Sequence, residues 1–215
     1  TTMVENLAGQ GYNVETARTF TARPVVVSPI TLRIRGNGNA AVEARGMSEL
    51  PGDVDPRQLS LFGAGWTIGS ISRLAATGFA HSLTYFETTG WRGLMETEAG
   101  SLLPSAFPSE PGMVFPLYHV FADIAEFGHC QVYPTDSTHP LLADGLTLRD
   151  AAGRRRVLVA NFTRDEQALK IKSGSGTARV RYLDEATAAE AMNHPEAFRA
   201  RAGTKGARPR GGGRA

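Results

Sequence analysis

The stretch L-S-L-F-G-A-G-W-T-I-G-S-I-S-R-L-A-A-T-G-F-A-H-S-L-T-Y-F-E, residues 59–87, decides the fold. Apolar residues recur at helical spacing through its first part and predict a helix from Leu59 to Thr77. Gly78 is well placed to end that helix, and the strand His81–Glu87 follows after a short turn. The segment therefore predicts a helix that leads directly into a strand.

An earlier strand completes a β-α-β unit. Residues Pro24–Arg35, P-V-V-V-S-P-I-T-L-R-I-R, are rich in β-branched side chains and predict a buried strand. Pro29 cannot donate a ladder hydrogen bond, which predicts a bulge or an early end to this strand. A polar loop over residues 36–57 leads from it to the helix. Since the order is strand, helix, strand, we expect parallel strands joined by a right-handed crossover.

Other elements flank this unit. Residues 3–20 predict a weak helix or a helix pair broken at Gly9 and Gly11. Residues 112–127 predict an amphipathic helix, whose buried face is marked by Leu117, Val120, Phe121, Ile124 and Phe127. After Gly128 the sequence is typical of an antiparallel β module, with a hairpin turn at Asp150–Gly153. Its further strands are predicted over residues 156–162, 167–172 and 178–183, and a last helix over residues 187–201.

The composition is that of a soluble globular protein, with 41% hydrophobic and 20% charged residues. No apolar run approaches the roughly 18–20 residues that span a membrane, and no signal peptide opens the chain. The single cysteine, Cys130, excludes an internal disulfide, and the histidines show no metal-binding spacing. We therefore expect a cytoplasmic protein with no metal and no membrane partner.

The net charge of +2 comes from the C-terminal tail. Five of the 23 basic residues follow Ala200, and the 18 that remain face all 21 acidic residues, so residues 1–200 carry a net charge of −3. The tail is rich in glycine, has nothing to bury and is predicted to be disordered. No aromatic residues interleave with its basic residues, so we do not expect nucleic acid as a partner.

Three interpretations of Glu87 are open. In the first it binds the ribose of a dinucleotide, since G-A-G-W-T-I-G begins at Gly63, 24 residues earlier. However, the spacing is G-x-G-x-x-x-G, and Trp66 stands where backbone must approach a pyrophosphate, so close helix packing explains the glycines more simply. In the second, Glu87 is only a strand-end charge that pairs with an arginine and holds the loop. In the third it belongs to the site of a barrel.

The barrel interpretation explains more of the residues at the strand ends than the other two interpretations do. In a (β/α)8 barrel the chemistry lies at the carboxyl ends of the strands, where Glu87 and Arg33 are found. Tyr85 shares a face with Glu87 in the alternation of the strand. Trp91 offers an apolar platform for a sugar ring, and Arg92 a donor for a carboxylate or oxyanion. An inward Glu87 is placed to act as a general base on water.

Four stretches are more distinctive: V-V-V-S-P-I-T-L-R, D-P-R-Q-L-S-L-F-G-A-G-W-T-I-G-S, S-L-T-Y-F-E-T-T-G-W-R-G-L-M-E and V-F-P-L-Y-H-V-F-A-D-I-A-E-F. In this order they closely resemble the C-terminal half of the D-apionate lactonase family, and R-V-L-V-A-N-F-T resembles that family's tail domain. The resemblance covers residues 24–183. It implies hydrolysis of D-apionolactone to D-apionate in apiose catabolism, without a cofactor.

The family is similar to the glycosidase clan built on (β/α)8 barrels with a flanking β domain. The resemblance implies an α/β fold, with the C-terminal part of a (β/α)8 TIM barrel in residues 1–130 and a small antiparallel, β-sandwich-like domain in residues 131–190. A short helix and the disordered tail occupy residues 191–215. The chain is then expected to be a fragment that lacks barrel strands one to six.

The numbering of the two barrel strands stays open. With residues 82–87 as the eighth strand, residues 25–33 are the seventh. The nucleophilic Glu that glycosidases carry at the end of the seventh strand is then absent, and Thr31, Arg33 and Arg35 stand there. With residues 82–87 as the seventh strand, Glu87 becomes the equivalent of that nucleophile.

The resemblance and the residues together suggest a sugar-lactone hydrolase. Glu87 is the predicted catalytic residue, and the predicted substrate-binding residues are Arg33, Tyr85, Trp91 and Arg92. A small sugar lactone is the expected partner, and the sequence does not predict the oligomeric state. Glu96 and Glu98, in the following loop, are predicted to be solvated. The alternatives are a glycoside hydrolase of the same barrel class and a non-catalytic sugar-binding barrel.

Overall fold

The first 127 residues alternate helices and strands, and the rest of the chain is mainly β-structure. The computed structural model describes residues 2–35, 48–133, 135–172, 178–201 and 203–205. The helices are α1 (Thr2–Glu5), α2 (Leu7–Phe20), α3 (Leu61–Ala76), α4 (Pro116–Phe127), α5 (Ala188–Asn193) and α6 (Pro195–Ala200). The strands are β1 (Val25–Ile30), β2 (Ala80–Tyr85), β3 (Cys130–Tyr133), β4 (Ala143–Asp150), β5 (Arg155–Asn161), β6 (Arg179–Val180) and β7 (Thr204–Lys205).

Two predicted segments fall partly or wholly beyond this description. Residues 36–47 of the predicted long loop lie outside the described residues, and so do residues 202 and 206–215 of the predicted disordered tail. The prediction of disorder is wrong for the start of that tail, because Thr204–Lys205 form a strand that pairs with Arg179–Val180. The part of the loop that is described ends in a 3-10 turn over Pro56–Leu59, just before α3.

β1 and β2 form a parallel pair, one before and one after α3 in the chain, which confirms the parallel β-α-β unit. Val27 pairs with Leu83 and Ile30 with Tyr85, and the register shifts between these two pairs, at Pro29. The predicted bulge is therefore confirmed. Both strands are shorter than predicted, because β1 ends at Ile30 and β2 at Tyr85.

Helices cover one face of this parallel pair. Val25 and Val27 of β1 and Leu83 of β2 pack against the core, whereas Val26 is 59% exposed. The prediction that β1 is a buried strand is therefore wrong for one of its faces. Successive residues of a strand point to opposite faces, and the described residues leave the second face open to solvent at Val26.

α3 lies at the centre of the described structure and contacts α2, α4, β2, β4 and β5. Its glycines allow this close packing. A Cβ atom at Gly69 would lie 2.7 Å from a methyl carbon of Leu7 on α2, and one at Gly65 would lie 3.4 Å from the Cβ of Ala160 on β5. The glycines of G-A-G-W-T-I-G therefore form a packing surface inside a helix, which disfavours the dinucleotide interpretation.

Ser60 sets the start of α3. Its side-chain oxygen accepts a hydrogen bond from the backbone N–H of Gly63 at 3.1 Å, and this N-cap satisfies one of the free donors of the first turn. The helix therefore begins at Leu61, slightly later than predicted. It ends just before Gly78, whose φ of +67° is left-handed, as expected of a residue that stops a helix.

The first two helices are separated at Asn6 and not at the glycines. α2 runs without interruption through Gly9 and Gly11. A Cβ atom at Gly11 would lie 3.1 Å from the carbonyl oxygen of Arg73 on α3. The predicted break at the glycines is wrong, because the close contact with α3 compensates for the low helix propensity of Gly11.

α4 confirms the predicted amphipathic helix but starts later, at Pro116 instead of residue 112. Proline is favoured in the first turn of a helix, where its missing N–H donor is not needed. Some residues of the predicted face are fully buried and the others pack against the core at partial exposure. These residues are Leu117, Val120, Phe121, Ile124 and Phe127.

β3, β4 and β5 form an antiparallel sheet with β4 in the middle, and β6 and β7 form a separate antiparallel pair. The predicted hairpin turn is confirmed, since the N–H of Gly153 donates to the carbonyl oxygen of Asp150 at 3.0 Å. Residues 167–172 do not form the predicted strand. Leu169 and Ile171 are 47% and 56% exposed, and no described segment pairs with them, so their backbone lacks a ladder.

The predicted last helix is divided into α5 and α6 at His194. Pro195 restricts the backbone of the residue before it and has no N–H to donate to the preceding turn. His194 accordingly has a non-helical φ of −133° and ψ of 59°. A separate helix, α6, then begins at Pro195.

No helix in the described part of the chain combines the length and the hydropathy needed to cross a membrane. Within the same residues, no group of three or more His, Cys, Asp or Glu side chains is placed to bind a metal ion. Cys130 is a partly buried free thiol at the start of β3.

A buried ion pair joins α3 to the antiparallel sheet. The guanidinium of Arg73 donates to the carboxylate of Asp144, the second residue of β4. The side chain of Asp144 is 1% exposed, and its other oxygen accepts the backbone N–H of Gly145 at 2.8 Å. Removing the guanidinium would leave a buried carboxylate with only one donor, which is strongly destabilising.

We expect Arg73→Met to lower the free energy of unfolding by roughly 2–4 kcal/mol, because the charge of Asp144 loses its partner. Arg154→Met is the matched control. Arg154 pairs with Asp150 on the hairpin, but its side chain is 75% exposed. Chemical denaturation of both variants makes the comparison, and equal losses of stability would contradict a special role for the buried pair.

His119 forms a second buried polar contact, between α4 and the C-terminal helices. Its Nε2 lies 2.9 Å from the carbonyl oxygen of Ala191, and its Nδ1 lies 3.4 Å from a guanidinium nitrogen of Arg199. The ring also packs edge-on against Phe198, at 4.9 Å between centroids. Burial, together with the charge of Arg199, lowers the pKa of His119 below its ordinary value of 6.5.

This lowered pKa predicts a loss of stability in acid. The unfolded chain binds a proton at His119 more readily than the folded chain, so the contribution is present above pH 6.5 and is lost as the pH falls from 6.5 through the lowered pKa. His119→Gln should make the free energy of unfolding less dependent on pH in that window. His139→Gln, at an exposed histidine, should keep the wild-type slope in denaturant titrations repeated across the window.

Candidate active site at the carboxyl ends of the parallel strands

Three segments meet where β1 and β2 end and border a narrow cleft. They are the chain just after β1, the loop before α3, and the loop that follows β2. The cleft holds about 10 Å³ of space, roughly enough for one water molecule. Its lining residues are Thr31, Leu32, Arg33, Arg35, Asp53, Asp55, Gln58, Phe86, Trp91 and Arg92.

Phe86 turns the chain at the end of β2. Its φ of 45° is left-handed, which is uncommon for a bulky residue and costs about 1–2 kcal/mol. The backbone N–H still donates to the carbonyl oxygen of Ile30 at 3.2 Å, and the ring is buried with its centroid 6.3 Å from that of Phe121. The core therefore stabilises a turn that redirects the next residue, Glu87.

Because of this turn, Glu87 does not continue the alternation of the strand. The prediction that it shares an inward face with Tyr85 is wrong, since β2 ends at Tyr85. The side chain of Glu87 is 45% exposed and lies 3.1 Å from the Nη1 of Arg35. Its backbone N–H donates to the carbonyl oxygen of Arg92 at 2.9 Å, which ties the turn to the following loop. Glu87 therefore lies at the rim of the cleft, in an ion pair.

Tyr85 lies behind the cleft and not inside it. Its hydroxyl is 2.7 Å from the Oγ of Ser70 on α3, and its ring packs against Phe121 with the centroids 5.6 Å apart. Burial raises the pKa of this hydroxyl well above its ordinary value of 10.0. The predicted substrate contact is therefore replaced in the structure by a contact between strand and helix.

Arg92 binds Asp53 through one edge of its guanidinium. Its Nε and Nη2 donate to the two carboxylate oxygens of Asp53 at 2.9 and 2.6 Å, which is a bidentate pair. This hydrogen bonding lowers the pKa of Asp53 below its ordinary value of 3.8. It also raises the pKa of Arg92. The guanidinium edge that was predicted to bind a substrate oxygen is occupied by a carboxylate of the chain itself.

Arg33 also forms contacts within the chain. Its Nη1 donates to the carbonyl oxygen of Gly52 at 3.2 Å, and its Nε lies 3.4 Å from Asp55. Asp55 is nearly inaccessible and holds Arg57 as well, at 2.6 Å. Burial alone would raise the pKa of Asp55, but the hydrogen bonds from Arg57 lower it below the ordinary value of 3.8.

Trp91 borders the cleft with part of its indole exposed. Its Nε1 donates to the Oγ of Ser101 at 3.1 Å, and its ring lies 6.2 Å from that of Phe107. The indole is therefore held in place by both polar and apolar contacts. The structure brings Trp91, Arg92 and Arg33 to the same cleft, with Glu87 at its rim.

Two acids of the cleft, Asp53 and Asp55, were missed by the sequence reasoning. The signal was present in D-V-D-P-R, where alternating acids precede the helix start within a loop that faces arginines. Glu96 is a further correction. It was predicted to be solvated but is 3% exposed, where its carboxylate accepts hydrogen bonds from the backbone N–H of Thr97 at 2.8 Å and from the hydroxyl of Ser109.

A parallel β-α-β unit with polar residues at its carboxyl end, followed by an antiparallel β module, is typical of a TIM-barrel enzyme with a β domain attached. Residues 1–129 match the family model described as D-apionate lactonase, TIM barrel domain. Residues 140–213 match the one described as D-apionate lactonase, C-terminal immunoglobulin-like domain. The chain thus combines a TIM barrel domain with an immunoglobulin-like domain. It belongs to the D-apionate lactonase family, which confirms the resemblance seen in the sequence.

No curated protein matches the chain, and no solved structure matches it. The described residues contain one parallel pair, β1 and β2, and this pair alone does not close a barrel.

Gly93 holds the loop after β2 in its tight course. A Cβ atom at this position would lie 2.7 Å from backbone atoms of Thr89, closer than such atoms approach. The carbonyl oxygen of Gly93 accepts the side-chain amide of the buried Gln58 at 2.8 Å. The loop that presents Trp91 and Arg92 therefore depends on the absence of a side chain at Gly93.

We expect Gly93→Ala to lower the free energy of unfolding by about 1–3 kcal/mol, because backbone must shift to admit the methyl group. Gly52→Ala is the control, since a Cβ atom there meets nothing within 4 Å. Thermal melts of both variants give the comparison. A Gly93→Ala protein as stable as the Gly52→Ala protein would show that the loop adapts easily.

Proposed function

We propose that the protein hydrolyses a sugar lactone, D-apionolactone, to the sugar acid D-apionate. Membership of the D-apionate lactonase family supports the reaction class. The observation that carries the proposal is the position of Glu87. It is a half-exposed carboxylate at the rim of the cleft, paired through one oxygen with Arg35, whereas the two acids that line the cleft are each held by an arginine through both oxygens.

In this proposal β1 and β2 are the seventh and eighth strands of a (β/α)8 barrel, and residues 1–129 form the C-terminal part of that barrel. The loop after β2 supports this order. Met95 forms only isolated bridges, to Thr89 and Val114, and α4 then leads into the antiparallel sheet. The described residues after β2 thus supply no further parallel strand.

In the proposed reaction, Glu87 binds and activates a water molecule. The carboxylate removes a proton from the water molecule as its oxygen attacks the lactone carbonyl carbon. The electron pair of the carbonyl bond moves to oxygen, and the nearby guanidinium charge stabilises that oxyanion. When the tetrahedral intermediate collapses, the bond to the ring oxygen breaks, and Glu87 returns the proton to that oxygen. The products are a hydroxyl group and a carboxylic acid, which ionises.

The other predicted residues take different roles in this proposal. Trp91 packs against one face of the sugar, at the mouth of the narrow cleft. Arg33 and Arg92 keep the loops and Asp53 in place through the donors that they use within the chain, and they add positive charge to the cleft. Tyr85 positions β2 against α3 and does not touch the substrate.

The glycoside hydrolase alternative is less well supported. A retaining glycosidase needs two carboxylates about 5–5.5 Å apart, one as nucleophile and one as acid. Near Glu87, the carboxylates of Asp53 and Asp55 are each held by arginine side chains at 2.6 Å. Among the described residues, neither is therefore available as the second carboxylate.

We expect Glu87→Gln to reduce the rate of acid release from D-apionolactone by about a hundredfold or more, because an amide cannot take the proton of water. A pH-stat measures this rate directly, after subtraction of the background hydrolysis measured without the protein. KM should change little, since glutamine keeps the size of the side chain.

Glu98→Gln is the matched control. Glu98 lies in the same loop but is exposed and does not line the cleft. It should hydrolyse the lactone at the wild-type rate. Hydrolysis that survives Glu87→Gln would remove Glu87 from the chemistry but keep the lactonase. If the folded wild-type protein shows no hydrolysis, the proposed reaction is wrong.

A further inference from the structure

Arg35 has an unusual pattern of contacts. Its Nη1 lies 3.1 Å from the carboxylate of Glu87. Its Nε and Nη2 are both shielded from solvent, and neither has a hydrogen-bond partner among the described residues. Among the described residues, only the side chain of Arg35 has buried atoms without a hydrogen-bond partner.

Two unpartnered buried donors need an explanation. A buried polar group without a partner costs about 1–3 kcal/mol, and more when it carries charge. Most native structures pair nearly all such groups, and each exception calls for an explanation, such as a catalytic role or a bound water or ion. Arg35 also lines the cleft, and its side chain as a whole is 31% exposed. The unpartnered atoms therefore lie just below the wall of a cleft that holds about one water molecule.

The two donors share one edge of the guanidinium. The N–H groups of Nε and Nη2 point in parallel, in the fork that binds both oxygens of a carboxylate. The ion pair with Glu87 uses the third nitrogen and fixes the plane of the group. A carboxylate on this edge would replace lost hydration with two charge-assisted hydrogen bonds. A neutral hydroxyl can satisfy only one of the two donors well.

The neighbouring arginines do not offer the same edge. Arg92 spends its Nε and Nη2 on Asp53, and Arg57 spends the same two atoms on Asp55. The described groups around the cleft nevertheless leave positive charge for an incoming anion. Among the residues that line the cleft, three guanidinium groups, of Arg33, Arg35 and Arg92, face the two carboxylates of Asp53 and Asp55, a net charge of +1 before the carboxylate of Glu87 at the rim is counted.

We propose that the free edge of Arg35 is a carboxylate-binding site that recognises the sugar-acid product, and that it first binds the two carboxyl oxygens as the lactone ring opens. The identity of the sugar acid rests on the proposed function. The site itself rests on the contacts of Arg35. Because the two nitrogens are covered, a neighbouring side chain must move slightly to admit the ligand. The hydrogen bonds from Arg35 to the new carboxylate then favour ring opening and also retain the product.

The test measures binding of D-apionate by calorimetry to the wild-type protein, Arg35→Lys and Arg57→Lys. Lysine keeps the positive charge but lacks the planar fork. We expect Arg35→Lys to bind D-apionate roughly ten- to a hundredfold more weakly. Arg57→Lys, the matched control, should bind within about twofold of the wild type, because Arg57 does not line the cleft. Arg35→Gln serves as the second variant if the lysine variant does not fold, as judged by its thermal melt.

A neutral probe separates recognition of the carboxylate from general damage. The sugar alcohol of the same skeleton, apiitol, lacks the carboxylate and should bind equally to the wild type and to Arg35→Lys. Equal loss of both ligands would show a structural defect, and unchanged binding of D-apionate would show that Arg35 does not hold the carboxylate. Either result would overturn the proposal.

A panel of other small carboxylates, such as D-erythronate and malonate, separates this proposal from the proposed reaction. Binding of one of them that depends on Arg35, without hydrolysis of D-apionolactone, would retain the carboxylate site and reject the reaction. Hydrolysis with the same product inhibition in the wild type and in Arg35→Lys would retain the reaction and reject the site. Absence of binding by every carboxylate tested would also reject the site.

Discussion

The close approach of α3 to its neighbours is the constraint on which the rest of the structure depends. α3 contacts α2 on one side and β4 and β5 on another, through positions where glycine replaces larger side chains. A Cβ atom at Gly63 would lie 2.5 Å from the backbone carbonyl oxygen of Arg57, so a larger residue there would shift the helix. Such a shift would also move Ser70, which holds Tyr85 at the end of β2. The hydrogen bond between Ser70 and Tyr85 thus connects the packing of α3 to the end of β2, which borders the cleft.

The same helix links the two domains that the family models define. Arg73 extends from α3 to the buried Asp144 on β4, so an ion pair lies within an otherwise apolar contact. Buried ion pairs are weak evidence for added stability, but removal of one partner is strongly unfavourable. The contact is therefore better understood as fixing how the immunoglobulin-like sheet sits on the helix. At the other end of the chain, His119 and Arg199 tie the C-terminal helices to α4.

Much of the fold could be predicted from the sequence, because its signals are local. The helical period, Gly78 at the end of the helix and the two apolar strands specify the β-α-β unit, and Pro29 marks the bulge. The glycines in α2 misled the prediction, since a glycine that breaks a helix and one that allows close packing look the same until the neighbouring helix is known. Residues 167–172 have strand propensity, but a strand also needs a partner, which local sequence does not specify.

The site was harder to predict because its chemistry depends on pairing across the chain. The sequence indicated that Arg92 and Glu87 lie near the cleft, but not that Asp53 would occupy the guanidinium of Arg92. Nor could it show that Arg35 would keep an edge free. Tyr85 was misplaced for a different reason. The alternation of a strand gives the relative faces of its residues, and only the position of the helices decides which face is covered.

Phe86 combines a left-handed backbone with a buried aromatic ring, two features that proteins usually place at different residues. Its left-handed backbone would suit glycine, while its ring belongs in the core beside Phe121. Glycine would relax the backbone but leave a gap in the core, and alanine would leave the same gap without relaxing the backbone. Selection at this position therefore acts on packing and on the direction of Glu87 together. Stability and activity are expected to change in concert when this position varies, so neither can be optimised there alone.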